Sequence, residues 1–127
     1  MTKNDDGTTA FLLHVSAFIG YLFPFGGILT PLVIWQTLKD KNTFLDNHGK
    51  EVVNFNISFG LYKLIIAGAL CINLIGFFFH HNPFFFFGWV PIVLIFEIIR
   101  VSLILIAASK AKNGENYEYP MTIKFIK

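Results

Sequence analysis

The chain has 127 residues, enough for one compact domain, with 54% hydrophobic and only 14% charged residues, against roughly 25% charged in a soluble domain. A formal charge of +2 without a basic, aromatic-interleaved patch excludes nucleic acid as a partner. The single cysteine, Cys71, excludes an intrachain disulfide.

The apolar residues gather in three blocks, 10–38, 52–79 and 84–109, each longer than the roughly 20 residues a helix needs to cross a bilayer core. This predicts one all-α integral membrane domain over 1–127, a bundle of about three helices surrounded by membrane lipid. The first block is too long for the apolar core of a signal peptide and lacks a basic stretch before it, so it is expected to be retained.

Residues 1–9 are polar and expected to fray. Block 10–38 is interrupted by Pro24, Gly26, Gly27 and Pro31. Proline removes a backbone donor and clashes with the preceding turn, and glycine weakens a helix further. Two pieces are expected, near 10–23 and 28–38, forming either a kinked crossing or a re-entrant hairpin; the crossing is favoured. Residues 39–50 read as a charged connector, with Asp46 or Asn47 capping the helix of block 52–79. A turn at His80-His81-Asn82-Pro83, flanked by phenylalanines, leads to the helix of block 84–109. In the tail, 110–127, apolar residues alternate from Tyr117 to Phe125, an extended pattern after the turn signal Asn113-Gly114. This tail is expected on the membrane surface or against the 39–50 connector.

Lysines sit in the connector (Lys39, Lys41, Lys50) and the tail (Lys110, Lys112, Lys124, Lys127), and none at 80–83. The positive-inside rule then places connector and C-terminus in the cytoplasm and the His-His turn outside.

Three charges fall within the predicted spans: Lys63, Glu97 and Arg100. Counting at 1.5 Å per residue puts Lys63 and Glu97 at one level, roughly 16–18 Å from the cytoplasmic ends of their helices. An ion pair between them is expected near the bilayer centre, with Arg100, on the same helical face as Glu97, either pairing with it too or extending toward the cytoplasm and Glu51. Asn47, Glu51, Asn54, Ser58 and Tyr62 recur at helical spacing and form one polar stripe, expected to face the other helices and meet His14, Ser16 and Tyr21. Such a cluster and stripe can simply hold a bundle together; gating or partner binding are the sharper readings. His80-His81 lacks further ligands nearby, so no metal is expected. No nucleophile–base pair or phosphate loop is visible, so neither a cofactor nor an enzyme activity is expected.

Three stretches stand in a familiar order: His14-Val-Ser16 with Gly20-Tyr21, Pro24 to Pro31 and Trp35; Asp46-Asn47-His48-Gly49-Lys50-Glu51 with Asn54-Phe55; and Ala111 to Glu115 with Tyr119-Pro120 and Ile123. Together they resemble the MamF-like family of small bacterial membrane proteins, itself distantly similar to the import-channel subunit of the chloroplast inner envelope. The resemblance spans nearly the whole chain. It implies a multi-pass protein of the bacterial cytoplasmic membrane that self-associates or binds other membrane proteins, a scaffold or assembly factor. The alternative is an oligomeric pore, transporter or translocon-like subunit. Magnetosome members influence crystal growth, but the His-His-Asn-Pro turn here holds no acidic mineral-binding loop, so that role is not expected to carry over.

Overall fold

A computed structural model describes residues 3–81 and 83–127. Helix α1 (Lys3–Val15) runs into a 3₁₀ turn (Ser16–Tyr21); α2 (Gly26–Leu38), α3 (Thr43–His80), the single turn α4 (Phe84–Phe87) and α5 (Val90–Lys112) follow. No strand occurs among the described residues. Residues 3–9, expected to fray, belong to α1. Asn82 of the predicted turn lies outside the described residues.

The first apolar block folds back on itself, which does not match the favoured kinked crossing. The break sits where the glycines and prolines predict it, and Phe25 takes a left-handed conformation at φ 63° to turn the chain. The two arms then cross so closely that a Cβ on Gly20 would lie 2.8 Å from the Gly27 nitrogen. Only glycine tolerates such backbone approach. At the open end, Asn42 Nδ2 donates to Asp6 Oδ2 at 3.0 Å, tying the end of the second arm to the start of the first. Pro31 is buried within α2, which continues through it.

Helix α3 starts earlier than the 52–79 block because Asn42, not Asp46 or Asn47, is the cap: its extended backbone precedes the helix and its side chain accepts from Leu45 N at 2.8 Å. The 39–50 connector is therefore largely helical. Asp46 instead accepts from Trp35 Nε1 at 2.9 Å and pairs with Lys50. Helix α5 begins at Val90, with Pro91 in its first turn, where proline's missing N–H costs no helical bond. Among the described residues, only α3 and α5 are long and apolar enough to cross a membrane, two spans where about three were expected.

Buried residues confine the core to one half of the molecule. On α3 they end at Phe59, and on α5 they begin at Arg100. The core joins Leu13 and Ala17, Trp35, Val52, Val53, Phe55 and Phe59, Ile104, Ala107 and Tyr119. Beyond it, α3 and α5 continue as a protruding antiparallel pair whose outward surface is apolar: Leu64, Ile65 and Ile72 are each about 70% exposed.

Gly49 lies beneath the Trp35 indole, where an added Cβ would overlap the ring. Replacement Gly49→Ala must therefore expel Trp35 from its hydrogen bond to Asp46. A loss of roughly 2–4 kcal/mol is expected, the upper range for overpacking. Thermal unfolding in detergent, with indole emission shifted to the red, is the check; an unchanged midpoint would contradict this packing.

Candidate functional site

Three polar constellations hang on this frame. The first lies where the hairpin tip meets α3 and α5. Lys63 Nζ sits 2.6 Å from Glu97 Oε1. Tyr21, from the tip, donates its hydroxyl to Glu97 Oε2 at 2.5 Å. Arg100 approaches the same oxygen at 3.8 Å and donates to Asn56 Oδ1 at 3.1 Å. Both cations lie over the Tyr21 ring, at 5.4 Å for Lys63 and 5.0 Å for Arg100. Two cations thus share one carboxylate, and the cluster keeps a formal charge of +1. Arg100 does not reach Glu51.

The polar stripe of α3 does not face the other helices; it holds the tail. Past Tyr119 the tail turns at Met121, which adopts φ 60°, and returns along α3 in extended form. Tyr62 donates to Met121 O at 2.8 Å. Ser58 Oγ accepts from Ile123 N at 2.9 Å. Asn54 Oδ1 accepts from both Phe125 N and Ile126 N, while its Nδ2 donates to Ile126 O. Glu51 accepts from Tyr119 N at 3.0 Å and pairs with Lys124. The side chains of a helix therefore supply the partners that a neighbouring strand would give an extended segment. The tail is bonded to residues 51–62 of α3, and it also lines a groove with Asn47 and Lys50 at the end of the 39–50 connector. Asn47, expected in the stripe, is exposed at its end.

The third constellation was not foreseen. His14, His48 and Tyr119, all buried, form a chain: the Tyr119 hydroxyl is 2.8 Å from His14 Nδ1, and His14 Nε2 is 2.8 Å from His48 Nδ1. His48 Nε2 has no hydrogen-bond partner among the described residues, although the Glu115 backbone lies near the ring. Which member of each pair donates is set by the tautomers of the two imidazoles. Phe55 stacks on Tyr119 at 4.0 Å between ring centres. Ser16 does not join, bonding instead to Leu13 O.

His14, His48, Glu51, Asn54, Phe55 and Tyr119 of the motif thus converge where α1, α3 and the tail meet, whereas Lys50 faces Asp46 and Pro120 is exposed beside the turn. Asn56, which positions Arg100, carried a faint sequence signal as a polar residue in an apolar run off the stripe. No group of three or more potential metal ligands occurs among the described residues.

A family model described as the magnetosome magnetite crystal formation protein family (MamF/MmsF) matches residues 5–126. No curated protein and no solved structure matches the chain.

Two outcomes follow from the tail clamp and the histidine chain. Asn54→Ala removes three hydrogen bonds to the tail at a buried position and should cost roughly 2–4 kcal/mol. Amide exchange at Phe125 and Ile126 should become fast, and continued protection there would rule out the clamp. His14 lies in α1, outside the two apolar helices, and burial, reinforced by His48, lowers its pKa to about 3. A folded-state pKa below the unfolded value near 6.5 means that stability is complete above pH ~6.5 and is lost as pH falls toward 3, by up to about 1.4 kcal/mol per unit. Denaturation midpoints measured from pH 7 to 4.5 should fall in the wild type and fall less steeply in His14→Gln, where buried His48 still contributes; parallel slopes would refute this assignment.

Proposed function

The chain belongs to the magnetosome magnetite crystal formation protein family, and from that membership we propose that it is a non-enzymatic integral membrane scaffold that binds copies of itself or other membrane proteins. In this reading α3 and α5 cross the bacterial cytoplasmic membrane as a hairpin, and the folded-back arms and tail form a head on the cytoplasmic side. The observation that carries it is the division of the surface. The motif side chains Glu51, Asn54 and Tyr119 are engaged within the molecule, while α3 and α5 present outward an apolar belt. On α3 the exposed belt runs from Leu61 to Phe79, roughly 27 Å along the helix axis, close to the thickness of a bilayer core. The lysines of tail and connector lie at the opposite end from His81, consistent with a cytoplasmic head. Lys63, Glu97 and Arg100 then sit near the inner edge of the belt rather than at its centre. The exposed Leu22, Phe23 and Phe25 at the hairpin tip lie beside that edge, as an interfacial wedge would. We assign no mineral-templating role, because the described residues of the distal turn, His80, His81 and Pro83, carry no carboxylate.

A pore or translocon-like assembly is the second reading. The cavity beside Lys63 and Arg100 favours it, provided several chains assemble around one water path.

Affinity purification of tagged protein from its native membrane, after crosslinking and polymer-disc extraction, tests the scaffold. Stoichiometric foreign membrane proteins, or a defined homo-oligomer, are expected; recovery of a lone monomer would defeat the proposal. For a homo-oligomer, ion flux in liposomes that responds to Glu97→Gln would instead establish the pore.

A further inference from the structure

The cluster at the inner edge of the belt opens onto a cavity of about 420 Å³ between the hairpin tip, α3 and α5. Its lining includes Lys63 and Arg100 together with Ile28, Phe59, Leu64 and Ala67. We propose that this cavity binds the phosphate of an anionic phospholipid, with the upper part of an acyl chain along its apolar wall.

Four features support this occupant. The charge is complementary: Glu97 is shared among Lys63, Tyr21 and Arg100, and the cluster retains a formal +1 that a phosphodiester would neutralise. The donors suit it as well. Lys63 is 42% exposed and its ammonium has protons beyond the one facing Glu97, while Arg100 is fixed by Asn56 and needs no ordering on binding. The surroundings match a lipid rather than a free ion, since the cavity is flanked by the exposed Phe25 and Leu64. Finally, the volume is in the range of small-molecule sites, ~300–1,000 Å³. A basic pocket beside spanning helices at headgroup depth is a physically sound anionic-lipid site. Placement at that depth rests on the membrane orientation proposed above.

The test is native mass spectrometry of the full-length protein released from detergent after incubation with equimolar dioleoyl phosphatidylglycerol and dioleoyl phosphatidylcholine. Retention of phosphatidylglycerol should exceed that of phosphatidylcholine by about tenfold, the scale of one charge-assisted contact. Lys63→Gln should bring the two lipids near equality. Lys63→Arg should restore the preference, and Lys112→Gln, at the far end of α5, should leave it intact. Glu97 keeps Tyr21 and Arg100 in the glutamine variant, so the fold survives, and an unchanged unfolding midpoint verifies this. Equal retention in the wild type, or an undiminished preference in Lys63→Gln, overturns the headgroup site while leaving the membrane orientation standing. Failure to retain either lipid removes both. Thermal stabilisation by inorganic phosphate alone, equal to that by phosphatidylglycerol, overturns the lipid as occupant in favour of a free anion.

Discussion

The crossing of Gly20 over Gly27 is the constraint from which the other arrangements follow. Because neither residue carries a Cβ, the two arms of the first segment approach backbone to backbone, and the chain returns to the end it came from. That return delivers Trp35 to the site under which Gly49 lies, and it leaves the end of α2 beside α1, where Asn42 can both cap α3 and hold Asp6. It also sets Tyr21 at the tip, within reach of Glu97. A side chain at either glycine would push the arms apart and withdraw the tyrosine from the charged cluster. The polar chemistry of the molecule thus depends on the absence of two methyl groups.

Much of this was legible in the sequence, for identifiable reasons. Helix-breaking residues are local signals, so the interruption at Pro24 to Pro31 could be located. The level of Lys63 against Glu97 needed only a count along two antiparallel helices. The direction of the returning chain was not legible, because it depends on a contact between residues that individually signal only weak helix. The stripe shows a different limit. Its spacing correctly put Glu51, Asn54, Ser58 and Tyr62 on one face, but periodicity cannot say what that face meets. The alternation of the tail likewise implied extended backbone without revealing that a helix would provide its hydrogen-bond partners. His14, His48 and Tyr119 are far apart in the chain, and no local pattern joins them.

The tail and the first segment are held by the same helix at the same level. Phe55 stacks on Tyr119, Tyr119 meets His14, and His14 meets His48 on α3. Burial keeps the His14 imidazole neutral, and a hydrogen bond at each of its two ring nitrogens holds its orientation. The two ends of the polypeptide are therefore fastened to one another through a buried contact, and neither the amino-terminal helix nor the tail can leave without exposing the other's polar groups.

Helix α3 is unbroken over 38 residues, roughly 57 Å. In the proposed orientation its distal part stands in lipid while the part from Thr43 to Gly60 carries the head. A rigid rod anchored in this way acts as a lever. Spanning helices tilt to match the thickness of the surrounding bilayer, commonly by about 20°. Over an arm of roughly 27 Å, such a tilt would sweep the outer end of the head about 9 Å sideways. Bilayer thickness would then be converted into the lateral position of the lysine-bearing surface, a mechanical linkage that needs no rearrangement inside the head.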